Sequence, residues 1–558
     1  MTRVLIIGLD GATLDLVRPW AEAGHLPNLN RLMREGSYGP LRSVLPVLSS
    51  AAWASFMTGT NPGKHGVFDF VRRDPGSYTL RAVRGDHIQG ESLWHILSRH
   101  GRTVGVMNVP MTYPPEPVNG FLVSGLGTPD DRNFTFPPEL ADELRREGHC
   151  LDLRTPYRPG KERATLDEMS ACTERLGRTA LRLLERDSPD LFIVLFRETD
   201  EVAHFFWRHM DPTHPKRDPQ RDAPFATAIR DLYAQVDAIV GRLVQAAGPD
   251  ATVLVVSDHG SGPLYKDVFI NEWLRQNGLL AVRSEPRPAT SAAGLAAQLG
   301  LTREGISLAL RNLGLNKLER TIRRLMGARL DKIPRSRRMQ FPEGIDWDRT
   351  YAYSFGYHGQ IYINLKGREP QGIVEPGPGY EALRLRIERG LNELTDPDDG
   401  LPIVSRVVRR EHVFHGLMTE AAPDLIVVMR DLAFITRHGY EYSPQPGKIF
   451  ASPGLHQSGS HRLEGLLIAA GANTRTGGFI SQGADLIDVA PTVLQVLGCP
   501  VPLEMDGRPL HDWVLPTSGV EIDKDASPGP QSGAPASDWA DADEQAVLQR
   551  LRDLGYLE

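Results

Sequence analysis

Four stretches of the chain are apolar almost without interruption and then stop on polar residues: VLIIGLD at 4–10, TVGVMNV at 103–109, LFIVLFRETD at 191–200 and ATVLVVSDHG at 251–260. Runs of this length, rich in β-branched residues, suit strands buried on both faces of a largely parallel sheet. Between them, apolar residues recur at three and four in LADELRREG (140–148), ACTERLGRTALRLLER (171–186) and AIRDLYAQVDAIVGRLVQAAG (228–248), the period of amphipathic helices. The pattern predicts an α/β fold, a mostly parallel sheet flanked by helices. Functional groups in such sheets gather outside the carboxyl ends of the strands. Three of the four runs lead there into carboxylates: Asp10, Asp200 and Asp258.

Beyond this core the composition shifts. Residues 283–345 change to a Ser/Pro/Ala-rich piece and then to basic helical stretches around NKLERTIRRLMGARLDKIPRSRR, which reads as an inserted cap whose arginines form a solvated face. YAYSFGYHGQIYINL at 351–365 returns to strand character, and DLIDVAPTVLQVLG at 485–498 reads as a helix closing the core. The expected division is a catalytic core over 1–261 and 456–515, a cap region with some core strands over 262–455, a Ser/Pro/Gly/Asp-rich flexible linker over 516–538 and a terminal amphipathic helix over 539–558. That helix either docks back or meets a partner.

At 558 residues the chain exceeds the size at which single cores tend to split, roughly 250–300 residues. With 63 basic and 70 acidic residues its net charge is -7, so no global basic field favours nucleic acid or an anionic membrane. An anionic substrate must be drawn in by a local site. No apolar stretch approaches the roughly 20 residues of a membrane span, and the first apolar run is too short for a signal peptide. Three widely spaced cysteines, Cys150, Cys172 and Cys499, suit reduced thiols better than a disulfide framework. These features predict a cytoplasmic protein.

Candidate metal ligands come from four fragments: Asp10 at the end of the first run, Asp200 and His204 in DEVAH, Asp258 and His259 in SDHG, and His461 in GSHRLEG. Asp and His at i, i+4 share a face if their segment is helical, and oxygen and nitrogen donors without sulfur suit zinc, manganese or similar divalent ions. Each fragment alone has an ordinary structural reading as a turn, a cap or an exposed helix face. A further stretch, LSSAAWASFMTGTNPGKHG at 48–66, places Ser49 and Ser50 at the mouth of a helix poor in large aliphatic residues. A serine there can cap the helix or act as a nucleophile beside unpaired N–H groups.

In combination, GLDG near the start, TG…P…HG, D-x-x-x-H, SDHG, the late G-x-H and the closing APTVL…MDGRPL resemble the alkaline phosphatase superfamily, in particular its type I phosphodiesterases and nucleotide pyrophosphatases. The resemblance covers most of residues 1–512 and implies an alkaline-phosphatase-like core with an inserted cap. It implies Ser49 as nucleophile, nine residues before Thr58, with Ser50 as its neighbour in the turn and a possible cap. It further implies two divalent ions, zinc before manganese, one held by Asp200, His204 and His461 and the other by Asp10, Ser49, Asp258 and His259. The Asn that nucleotide pyrophosphatases use to hold a phosphate oxygen is replaced here by Phe70. Lys64, Asn108, Tyr113, Arg197 and His358 are the candidates to substitute for it, with turn-shaping or structural roles as the alternative for each. Sulfatase chemistry is disfavoured because SSAAW lacks the Cys or Ser followed by x-P-x-R, and mutase activity is disfavoured by spacing.

The expected function is therefore a two-metal phosphodiesterase acting on a small phosphoester through a covalent phosphoserine. The alternatives are a phosphomonoesterase or phosphonate hydrolase on the same centre, and a non-catalytic binding protein that retains the fold. A homo-oligomer is left open.

Overall fold

The computed structural model describes residues 3–553 apart from 75, 131, 152, 154–156, 284–343, 437–446, 455, 516–521 and 524–540. Its main sheet has ten strands in the order Gly478–Phe479, Ser37–Arg42, Glu464–Gly471, Thr252–Val256, Val4–Leu9, Leu191–Phe196, Val104–Met107, Gly120–Val123 and Thr135–Phe136, with Ala484–Asp485 also pairing Ser37–Arg42. All four apolar runs are strands, and they lie together, parallel, in the middle of the sheet. The fold class is that expected, a mixed, mostly parallel sheet flanked by helices.

Alternation along these strands explains their unbroken apolarity. Val4, Ile6, Ile193, Leu195, Leu254 and Val256 face one hydrophobic cluster, whereas Leu5, Ile7, Phe192, Val194, Val253 and Val255 face another. Helices Ser49–Thr58, Leu93–Arg99 and Val489–Val496 contribute to the first cluster. Leu14–Glu22, Pro27–Glu35, Glu162–Asp187, Glu198–Met210 and Ala228–Ala247 contribute to the second. Burying each leucine-sized side chain is worth about 1.5–3 kcal/mol, so a polar residue inside these strands would be costly on either face.

Register then decides where polar residues emerge. In the parallel pairs Leu9 stands opposite Phe196 and Gly8 opposite Val256. The three chains leave the sheet at one level, so Asp10, the helix starting at Glu198 and the Asp258–His259 segment converge. A two-stranded antiparallel ribbon, Gly260–Pro263 with Gly459–Arg462, sets Ser261 opposite His461 and brings the last histidine to the same end.

A second sheet of seven strands is drawn entirely from residues 266–451 and has its own core of Val268, Tyr353, Ile361, Leu425 and Val427. The strand character expected at 351–365 is an antiparallel hairpin, Ala352–Ser354 with Gln360–Ile363. Most of the basic stretch expected at 283–345 lies outside the described residues, as does most of the linker, of which Ile522–Asp523 pairs in parallel with Val501–Pro502.

The expectation of three reduced thiols is corrected. Cys150 and Cys172 form a disulfide, and only Cys499 is free. Their separation of 22 residues concealed the pairing, because the chain turns back into the long helix Glu162–Asp187 and brings the two Cα atoms to 5.6 Å. This removes the argument from free thiols to a cytoplasmic location. Among the described residues, no helix is long and apolar enough to cross a membrane.

The terminal helix, Asp541–Asp553, docks back on its own chain. Glu544 accepts from the Ala82 backbone N–H and from Arg81, and Val547 and Leu551 are buried in the main core. Placing an unpaired charge at such a position costs several kcal/mol. Val547→Asp is therefore expected to undock this helix, raising hydrogen exchange across 541–553 while leaving protection of the central strand Leu191–Phe196 unchanged.

Candidate metal centre

Each predicted ligand is set by a different device. Asp10 follows the first strand directly, with Trp53 Nε1 donating to its Oδ2 at 3.0 Å and Thr199 Oγ1 donating to its carbonyl at 2.6 Å. Asp200 and His204 sit one turn apart on helix Glu198–Met210, as the i, i+4 spacing predicts, with His204 Nε2 3.1 Å from Asp200 Oδ2. Asp258 accepts from the Gly11 N–H at 3.2 Å, which ties two strand ends together. Gly11 is required here. Its φ is +65°, and a Cβ on it would lie 2.6 Å from Asp200 Oδ1.

Ser49 is the first residue of helix Ser49–Thr58. Its Oγ lies 3.4 Å from Asp10 Oδ1 and 3.2 Å from His259 Nε2. Leu48 occupies the cap position, and no side chain caps this N-terminus. Ser50 is thus not a cap; its hydroxyl is buried and makes no hydrogen bond among the described residues.

The three histidines share one arrangement. Nδ1 of His204 donates to the Gly459 carbonyl at 3.0 Å, that of His259 to the Gly260 carbonyl at 3.0 Å and that of His461 to the Val47 carbonyl at 2.7 Å. A carbonyl only accepts, so each ring carries a proton on Nδ1 and turns Nε2 toward the centre, the orientation of a metal-ligating histidine backed by a second hydrogen bond. The Nε2 atoms converge: His204 Nε2 is 3.1 Å from His461 Nε2, and the His259 and His461 rings stack at 3.7 Å.

Asp10, Asp200, Asp258, His204, His259 and His461 are all buried. Burial, with the charges of Asp258 and Asp200, raises the Asp10 pKa well above the usual carboxylate value, and burial raises that of Asp258. Burial also acts on Asp200, but its histidine neighbours, His204 first, outweigh it and lower its pKa. His461 is pushed well below the ordinary histidine value by burial and by His259. Imidazole nitrogens beside buried carboxylates form a donor set suited to divalent cations.

Two groups of donor atoms are each within 4.8 Å of one another: Asp10, Asp258 and His259, and Asp200, His259 and His461. His259 belongs to both, so the two predicted ligand sets adjoin, and His204 reaches the second through Asp200 and His461.

The five substrate-binding candidates fare differently. His358 comes to the centre, its ring stacked 5.3 Å from that of His461. Lys64 donates to Asp506 and to the Glu504 carbonyl, joining the Pro62–His65 turn to the MDG segment. Asn108, at φ +64°, donates to the Leu195 carbonyl and braces two strand ends. Arg197 pairs with Glu201 at 2.6 Å and donates to the Leu151 carbonyl. Tyr113 has Asp130, Asp543, Arg132 and Arg84 as its charged neighbours, and burial raises its pKa. Phe70 lies in the hydrophobic core.

Sequence reasoning passed over Trp53, Thr199 and the Val47 carbonyl. No local motif marks them, because each acts through a contact made between distant segments.

Comparison with known proteins identifies the family and the fold. The family model described as Type I phosphodiesterase / nucleotide pyrophosphatase matches residues 4–442, which includes every ligand candidate except His461. Among solved structures, phosphonoacetate hydrolase from Sinorhizobium meliloti 1021 in complex with phosphonoacetate is similar at 14% identity and a TM-score of 0.50, covering 88% of this chain and 94% of that chain. The same enzyme in complex with phosphonoformate matches at 13% identity and a TM-score of 0.49, with the same coverage of 88% and 94%. At this identity the likeness is one of fold. No curated protein matches.

Gly11→Ala introduces a Cβ into the space of Asp200 and forces a left-handed backbone on alanine, a strain of about 1–2 kcal/mol. It is expected to lower divalent-metal content below that of the unaltered protein, measured by elemental analysis of protein dialysed against metal, while circular dichroism shows the fold retained.

Proposed function

The chain belongs to the type I phosphodiesterase / nucleotide pyrophosphatase family, which makes it a phosphoester hydrolase using divalent metal, and on that premise we propose that it cleaves phosphodiesters through a covalent intermediate on Ser49. The observation that carries the proposal is the position of Ser49. Its hydroxyl opens a helix whose N-terminus no side chain caps, and it touches Asp10 and His259.

In this reading Asp200, His204 and His461 hold one cation and Asp10, Ser49, Asp258 and His259 the other, with zinc the first choice for an all-nitrogen-and-oxygen set. The bound cations would supply positive charge that lowers the serine pKa and neutralises the phosphoryl group. The chain's own groups do the rest. Ser49 Oγ forms the new bond to phosphorus as the ester oxygen departs, and water later releases the phosphoryl group from serine. The unpaired N–H groups at the start of helix Ser49–Thr58 favour the negative charge that gathers there. Trp53 and Thr199 hold Asp10 in place, and the backbone acceptors of the three histidines keep each Nε2 aimed inward.

The core that carries this chemistry comprises 1–261 and 456–515, with 262–455 as the cap. Diesters come before monoesters because the one arginine among the candidates, Arg197, is paired with Glu201, leaving less positive charge for a dianion. The similarity to a phosphonoacetate hydrolase keeps phosphonate or monoester cleavage as the second reading.

Hydrolysis of bis(4-nitrophenyl) phosphate and of 4-nitrophenyl phosphate, with metal analysis of the same samples, tests the proposal. The expected outcome is turnover of the diester in preference to the monoester, reduced by roughly a thousandfold or more in Ser49→Ala and abolished by a chelator. Full activity in Ser49→Ala would remove serine as nucleophile. A preference for the monoester would select the second reading.

A further inference from the structure

Among the described residues, His358 is the one histidine at the centre that does not come from the main sheet or its flanking segments. It lies on the turn between strands Ala352–Ser354 and Gln360–Ile363 of the second sheet, is buried, and stacks on His461 at 5.3 Å with an interplanar angle of 30°.

The turn is held in an uncommon conformation. His358 has φ +60°, between Gly356 at +87° and Gly359 at +72°. A left-handed non-glycine residue persists only where its surroundings over-determine it, and here they do. Asp69 Oδ2 accepts from the Tyr357 N–H at 3.0 Å and from Gln360 Nε2 at 2.8 Å, while its Oδ1 accepts from the Phe70 N–H at 2.6 Å. Thr436 Oγ1 accepts from the Gly359 N–H at 2.8 Å and donates to the Gly356 carbonyl at 3.0 Å. Asp69 also fits against Gly356, where a Cβ would lie 2.5 Å from its Oδ2. Asp69 itself lies a few residues beyond the helix that Ser49 opens and the Pro62–His65 turn that follows.

Filling space against His461 would require none of this; an apolar side chain in ordinary backbone would serve, without the cost of burying an imidazole. We propose that His358 donates a hydrogen bond to a phosphoryl oxygen of the bound substrate, and that Asp69 is the positioning residue that locks the 356–360 turn and so holds His358 beside the metal ligands. The cap thereby contributes a phosphate contact to a centre otherwise built from the core. The inference rests on the phosphoester-hydrolase reading of that centre.

The test is the affinity of the metal-loaded protein for inorganic phosphate, measured by calorimetry, with metal content and kcat/KM for the diester measured alongside. His358→Ala is expected to weaken phosphate binding roughly tenfold or more, the loss of one hydrogen bond to a charged acceptor, with metal content unchanged. His358→Gln, which keeps a donor, should recover part of the loss. Asp69→Asn, close in shape, should weaken binding in the same direction, and Asp69→Asn combined with His358→Ala should bind no more weakly than His358→Ala alone, as two groups acting through one contact require.

Unchanged phosphate affinity in His358→Ala, loss of metal from it, or multiplication of the two effects would each overturn the inference while leaving the hydrolase reading intact. Metal-loaded protein that neither binds phosphate nor cleaves either ester would overturn that reading, and the inference with it.

Discussion

Three carboxylates, those of Asp10, Asp200 and Asp258, are buried together at one end of the main sheet, and their mutual repulsion is the constraint around which the structure is arranged. Two like charges about 4 Å apart repel by about 4 kcal/mol at the effective dielectric of a protein. A domain has only about 5–15 kcal/mol of net stability to set against such terms. Burial first, and the neighbouring carboxylates after it, raise the pKa values of Asp10 and Asp258, and the lowered value of Asp200 shows where the histidines offset both effects. The three imidazoles are held with Nε2 turned toward these carboxylates by the backbone carbonyls behind them.

Holding such a cluster demands a scaffold that does not relax, and parallel register provides it. Strand ends locked at Leu9–Phe196 and Gly8–Val256 cannot drift apart without breaking ladders whose side chains are buried on both faces. Gly11 permits the close approach, and Trp53 reaches from the helix that Ser49 opens to Asp10, so that helix and strand are mutually placed. The chemistry is thus fixed by the core. The second sheet, with its own hydrophobic cluster, is free to vary what surrounds the phosphoryl group, as loops and insertions on a rigid scaffold commonly do.

The core was legible in the sequence because its signals are local: an apolar run that ends in a carboxylate, or an Asp and a His one helical turn apart, carries its meaning within a few residues. Even so, the runs alone gave no pairing order, and the grouping of ligands into two sets came from family resemblance. His259 turned out to adjoin both sets. Lys64 and Arg197 were plausible phosphate contacts as lone cations but are engaged by Asp506 and Glu201, partners that distance along the chain hides for Lys64 and that the i, i+4 spacing could have shown for Arg197. The Cys150–Cys172 link was missed because counting cysteines does not reveal that the intervening chain doubles back.

That disulfide bears on the centre through packing. Helix Glu198–Met210 carries Asp200 and His204, and Leu151 and Tyr157, which follow Cys150 in the chain, pack at its start and along one face. The Leu151 carbonyl accepts from Arg197 at 3.3 Å, and the Tyr157 ring stacks on Phe205 at 4.9 Å and meets Phe206 edge-on at 5.3 Å. Cys172 lies on the long helix Glu162–Asp187, which packs with Ala228–Ala247 on the same face of the sheet. The covalent link therefore ties Cys150, next to Leu151, to the helical layer that carries Cys172. The sheet sets where helix Glu198–Met210 begins, with one residue between it and the ladder strand Leu191–Phe196, and the layer that covers it holds the rest of its length in place.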